Sequence, residues 1–377
     1  GASWSPAAIA AVSASPSAAS RARRPAGAAA SASPAATATG AAAPVMTRAQ
    51  SHKLLLVALI LASLVLAVAS LTLGSRSIPP GEVIAALHGA GEQDIHDIVW
   101  NLRMPRTFLA YFAGAALAVA GVLAQSWTRN PLADPGFIGV TAGASFFVAL
   151  GTAIGIATST SMRTTLALVG AGITTLLVLA VSRRFEDPLT LILVGAGVSA
   201  ALGSGAVIIG LYSTDVLDSM RRWTIGSTFG RGPEDVAIAG IGLVIGVACA
   251  AMVARPLDLL AMGEESSLAL GGSPTTARVG AALSVVVLAG SATAATGPIA
   301  FVGFAIPHIV RRVVGPSVAT LLLPSALLGG CAVLAADIIG RLIVGNSELE
   351  MSIVLAIVGA PFLIWGAHRG VGRAWEQ

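Results

Sequence analysis

The sequence predicts an all-α polytopic membrane bundle of about ten transmembrane helices, on three observations. Of the 377 residues, 55% are hydrophobic and 11% charged, about half the charge of an ordinary soluble domain, too little to cover a globule with polar groups. Apolar stretches of about 20 residues recur, each long enough to cross a hydrocarbon layer ~30 Å thick as a helix. Leu, Val, Ile and Ala fill these stretches without the strict alternation of a barrel strand, so each span satisfies its backbone hydrogen bonds as a helix.

Residues 1–50 are mostly Ala, Ser, Pro and Thr, with Arg21, Arg23, Arg24 and Arg48 and no Asp or Glu. So few large apolar groups predict a disordered tail ahead of a membrane domain over 51–377. The Arg-rich, Ser-rich start also resembles an organelle transit peptide, and Met46 is an alternative start. The first apolar stretch, Leu54 to Leu73, is long enough to remain as a span rather than act as a secretory signal. Further stretches follow at 107–126, 137–157, 164–182, 189–211, 236–254, 279–296, 299–314, 319–339 and 351–367. Gly297-Pro298 and Pro307 interrupt the pattern over 284–314. A shorter or broken helix is expected there, tolerated only if neighbours satisfy the freed carbonyls.

With the N-terminus cytoplasmic, eleven basic residues fall on the inner side, among them Arg129, Arg255, Arg278, Arg311 and Arg312. Eight fall outside: Arg76, Arg103, Arg106, Arg163, Arg221, Arg222, Arg231 and Arg341. This margin follows the positive-inside rule but leaves the outer arginines in need of a reason, which Asp94, Asp97, Asp215 and Asp218 supply only in part. The net charge of +4 builds no nucleic-acid footprint, because Lys53 is the single lysine and no basic helix is interleaved with aromatics. Cys249 and Cys331 lie in separate apolar stretches and read as small buried hydrophobes. His88 and His96, near Asp94 and Asp97, read as a solvated loop in preference to a metal site.

A phosphate-cradling loop needs G-x-x-x-x-G-K-[ST], and Lys53 follows Gln50-Ser51-His52, so any use of ATP must occur on another chain. Asp337 is the one acid well inside a span. It precedes Arg341 by four residues, which favours a local ion pair near the outer face over a carboxylate relay. Arg103-Met-Pro-Arg106 opens the second span, where both arginines face outward, either snorkelling or meeting a partner. Arg129-Asn-Pro-Leu-Ala-Asp-Pro-Gly136 is a rigid inner loop that gates a pathway or simply reverses the chain. Between Arg255 and Arg278, Ser266 to Leu270 is expected to form one or two turns of helix, stopped by Gly271-Gly272 and Pro274. Such an element suits a groove on a soluble partner, and equally an ordinary connector.

Taken together, these segments resemble the FecCD-type permeases, the membrane subunits of ABC importers for iron-siderophores, haem and cobalamin. The resemblance runs over about 54–370, through LRMPRTFLAYFAGAALAVAGVLAQSWTRNPLADPGFIGVTAGAS (102–145), the inner loop MGEESSLALGGSP, GPIAFVGFAIPHIVRRVVG (297–315) and GAPFLIWGAHR (359–369). It implies a type II ABC importer permease in the bacterial cytoplasmic (inner) membrane, with both termini cytoplasmic. The partners it implies are a second permease chain in a homo- or heterodimer, two cytoplasmic ATPases that use ATP and Mg, and an extracytoplasmic substrate-binding protein. This chain itself would bind no cofactor or metal.

The resemblance also implies roles for residues. Arg103, Arg106 and Arg341 match positions that dock acidic residues of the binding protein. Arg221, Arg222 and Trp223 match a segment near the substrate entrance. Asn130 and Leu132 match positions near an inner gate, with Thr190 a further candidate. Residues 262–274 match the coupling helix that seats in the ATPase, with Glu264, Glu265, Leu270 and Gly271 as contacts. Arg222 and Thr228 stand where many relatives have apolar residues, which blurs the substrate class. An iron-siderophore complex is the expected substrate and haem or cobalamin the alternative. An ion-coupled secondary transporter and a non-transporting receptor or scaffold are the readings from other classes, the former opposed by the scarcity of charge in the spans.

Overall fold

A computed structural model describes residues 48–74, 76–131, 133–182, 188–212, 217, 225–343 and 348–361. The tail expected over residues 1–50 lies outside this range except at its end, where the first helix has already begun. In order the elements are α1 (Arg48–Thr72), α2 (Pro80–Leu87), α3 (Gln93–Asp97), a π-helical turn over Ile98–Arg103 and α4 (Met104–Thr128). A 3-10 turn (Pro135–Ile138), α5 (Val140–Ala153), α6 (Thr160–Ser182), α7 (Pro188–Leu211) and α8 (Pro233–Ala261) follow. The last five are α9 (Glu264–Ala269), α10 (Pro274–Thr296), α11 (Val302–Val314), α12 (Val318–Ile343) and α13 (Met351–Pro361). No strand occurs among the described residues.

Each of the ten predicted apolar stretches overlaps a helix, although 137–157 shortens to Val140–Ala153 and 299–314 to Val302–Val314. Among the described residues seven candidate spans are long and apolar enough to cross a membrane, whereas α5, α11 and α13 are shorter. Helix α4 is the axis of the bundle, packing against α8, α10, α11 and α12 and buried along most of its length. Its sequence explains why. A Cβ on Gly114 would lie 2.3 Å from the carbonyl oxygen of Gly329 in α12, and one on Gly121 would lie 1.9 Å from that of Gly303 in α11. Apolar surface gains little by leaving lipid, so helices in a membrane associate where small residues let their backbones approach. Helix α1 instead exposes Leu61, Leu64 and Val65, the composition of a face that lipid covers.

The expected break near 297 is present. Helix α10 ends at Thr296, Gly297 adopts φ 80°, and α11 is a separate 13-residue helix. The freed groups find partners from elsewhere in the fold. Ser227 N–H donates to Thr296 O at 2.8 Å. Pro307 lacks the N–H that would bond Gly303 O, and Gln125 Nε2 from α4 donates to Gly303 O (3.3 Å) and Phe304 O (3.1 Å) instead. Gln125 is buried, so this amide performs the role that water would have outside a membrane.

Candidate functional site

Two groups of charged residues lie at opposite ends of the bundle among the described residues. At one end lies α9, six residues long, between Gly263 (φ 112°) and Gly271 (φ 77°). Its stop is a Schellman arrangement: Gly272 N–H donates to Ser267 O (2.8 Å) and Gly271 N–H to Leu268 O (3.0 Å). Both glycines are required, since φ 77° favours glycine at 271 and a Cβ at 272 would fall 2.6 Å from Ser267 Oγ. Ser267 is buried against the bundle, while Met262, Leu268 and Leu270 point out and are well exposed. Glu264 and Glu265 occupy the first turn, where the helix dipole favours carboxylates, and Glu264 pairs with Arg278 at 2.8 Å. The expected helix over Ser266–Leu270 therefore exists, beginning two residues earlier, at Glu264, and ending one earlier, at Ala269.

Beside it runs the loop after α4. Arg129 caps α4 in the left-handed region (φ 50°) and its guanidinium donates to Leu260 O at the end of α8. Asn130 is half-buried, and its carbonyl accepts from Ala133 N–H at 3.1 Å. Leu132 lies outside the described residues. The 3-10 turn over Pro135–Ile138 packs on α4, α5 and α7; Thr190, half-buried, lies in the first turn of α7. Asp134 fixes the 3-10 turn. Its carboxylate accepts from Gly136 N–H at 2.8 Å and from the backbone of Phe304 near the start of α11. Burial pushes this carboxyl up to about 6, against the opposing pull of the two backbone donors.

At the opposite end, Asp337 of α12 is the centre of a buried ion cluster. Arg106 Nε donates to both of its oxygens (3.0 and 3.2 Å), Arg341 Nη2 lies 3.0 Å from Oδ2, and Thr228 Oγ1 donates to Oδ1. Arg106 also reaches Glu348 through Nη1. Arg341 further donates to Ser70 Oγ (2.7 Å), Ser70 O (3.0 Å) and Leu73 O (3.3 Å), which ties α12 to the end of α1. Arg103, at the close of the π-helical turn, donates to Leu71 O and Arg76 O. The i,i+4 pair expected between Asp337 and Arg341 is thus formed, with two more helices drawn into it.

The FecCD transport family matches this chain over residues 60–369. The chain belongs to that family. Ferric enterobactin transport system permease protein FepD of Escherichia coli (strain K12) is 38% identical to it over 327 residues, covering 86% of this chain and 96% of that protein. Fe(3+) dicitrate transport system permease protein FecD of the same organism is 34% identical over 268 residues, covering 71% and 84%. Among solved structures, a metal-chelate type ABC transporter in an inward-facing conformation matches with a TM-score of 0.75 at 27% identity, covering 84% of this chain and 99% of that one.

On this FecCD permease the residues singled out from sequence fare differently. Arg103, Arg106 and Arg341 do lie together, but Arg103 and Arg341 are only 7% and 5% exposed, their guanidinium groups turned inward. The physical reason is that charged groups at a membrane-buried helix end are satisfied first by carbonyls and carboxylates already in reach. Arg106 is paired with Asp337 and with Glu348. Glu264 and Glu265 lie in the first turn of α9 and Leu270 and Gly271 at its end, and Asn130 lies in the loop after α4. Arg221, Arg222 and Trp223 lie outside the described residues. Sequence reasoning missed Gln125, Asp134, Asp258 and Glu348. Gln125 carried a usable signal, a lone amide in an apolar stretch above a proline-interrupted neighbour. Asp134 carried another, a carboxylate before proline.

Proposed function

We propose that the chain is the permease subunit of a binding-protein-dependent ABC importer that moves an iron-siderophore complex across the cytoplasmic membrane. The observation that carries the reading is α9: a short helix, firmly stopped, hung from α8 with Leu268 and Leu270 exposed beside Glu264 and Glu265. A monomer gains nothing by presenting leucines to water on so small an element, so the face is read as the seat for a cytoplasmic ATPase. On this reading α9 and the N-terminus face the cytoplasm and the Asp337 end faces the binding protein. ATP and Mg belong to the ATPase, since Lys53, the single lysine, is outside any phosphate-binding loop. The Asn130 loop and Thr190 are read as the inner gate, beside a second permease chain across the substrate path. The names of the relatives FepD and FecD support ferric chelates as the substrate class.

The test is co-expression of the chain with its ATPase and binding protein. Leu270→Asp is expected to abolish co-purification of the ATPase and iron-chelate uptake together, while the permease still folds. Normal co-purification refutes the seat, and ATP hydrolysis by the isolated chain refutes the division of labour.

A further inference from the structure

Near α9, a carboxylate links helices that the proposed function leaves unconnected. Asp258 lies in the last turns of α8, and its carboxylate reaches α12: Oδ2 accepts from Ser317 Oγ at 2.8 Å and Oδ1 from Val318 N–H at 2.7 Å. Helix α8 therefore caps the start of α12, where free N–H groups and the helix dipole both favour an anion. Two residues later Leu260 O accepts from Arg129, the residue that caps the end of α4. The last turn of α8 is thus clasped to α12 and to α4 at the point from which α9 hangs. The direct route from α9 to α10 is weaker, because Glu264 and Arg278 are about half exposed and water screens such a pair.

What the clasps hold is itself rigid. A Cβ on Gly329 would lie 2.4 Å from Gly114 O, so α12 and α4 meet backbone to backbone midway. At the far end Arg106 bonds Asp337 and closes the same two helices. Helices joined at both ends and in the middle shift as one body. We propose that Asp258, seconded by Arg129, is the positioning residue through which displacement of α9 is delivered to α4 and α12, and so to the opposite face. The proposal rests on reading α9 as the ATPase seat.

The experiment uses the whole transporter, permease with ATPase and binding protein, reconstituted in vesicles with radiolabelled ferric enterobactin as the probe. The readout is iron delivered per ATP hydrolysed. A loss of folded protein lowers both rates alike and leaves this ratio untouched, so a merely structural role does not move it. With Asp258→Ala the ratio is expected to fall roughly fivefold or more while the ATPase still co-purifies. Asp258→Asn keeps an acceptor for Val318 N–H and is expected to lose less. An unchanged ratio in Asp258→Ala overturns the proposal. If that variant does not assemble, Ser317→Ala removes one bond from the receiving side; a smaller fall supports the clasp and an unchanged ratio overturns it. Should Leu270→Asp leave ATPase capture normal, the reading of α9 fails. Should Leu270→Asp abolish capture while Asp258→Ala keeps its ratio, the clasp alone fails.

Discussion

Replacing Asp337 by Asn is expected to destabilise the protein far more than breaking a salt bridge of similar length elsewhere. Asp337 is 1% exposed and takes donors from Arg106, Arg341 and Thr228. Asparagine keeps the shape and one acceptor oxygen, but it turns an N–H group toward guanidinium donors and removes a charge. Arg106 retains Glu348. Arg341, with a side chain 3% exposed, loses the carboxylate it bonds. Removing one partner of a buried pair costs about 3–5 kcal/mol, and the bonds from Arg341 to Ser70 and Leu73 put this case toward ~3 kcal/mol. The comparison is Arg278→Ala. Its pair with Glu264 spans 2.8 Å, but the two side chains are 45% and 52% exposed, which limits the loss to below ~1 kcal/mol. The assay is the thermal midpoint for loss of monodisperse protein in detergent, run in parallel on both variants and the parent. A drop on the order of 5 °C is expected for Asp337→Asn. A midpoint no lower than that of Arg278→Ala refutes the reasoning.

Two other substitutions test single bonds. Gln125→Leu leaves Gly303 O without a donor beneath Pro307 and should cost about 1–3 kcal/mol in the same melt. Adding Pro307→Ala, which returns an N–H to the helix, should recover part of that loss, and a purely additive double variant argues against the link. Asp134 titrates near 6 in the fold against 3.8 for an ordinary aspartate. The folded state therefore holds the proton more tightly, and stability falls as pH rises through this interval. Wild type should gain about 1 kcal/mol relative to Asp134→Asn between pH 7 and 5; identical pH profiles count against a raised carboxyl.

Much of this permease was legible before any fold was known. Hydropathy and length located the long apolar helices, because a backbone in hydrocarbon has the helix as its simplest solution, but not the short α2 and α3, which fall where the sequence read as a polar loop. Gly271-Gly272 and Pro274 marked the end of α9, since a positive φ and a missing N–H are properties of the residue itself. The fate of the charged residues was another matter. Sequence placed Arg103, Arg106 and Arg341 on one side of the membrane and paired Asp337 with Arg341 four residues on. It could not say that Ser70, Thr228 and Glu348 complete that cluster, nor that Arg103 turns toward carbonyls of α1 and the chain just beyond it. Asp258 gave no sign of reaching the start of α12, 59 residues away in sequence. Spacing along one helix reports neighbours on that helix alone. Which helix end meets which carboxylate is decided only when glycines such as Gly114 and Gly329 let particular backbones touch, and a burial or a partner created by that contact exists nowhere in the linear order of residues.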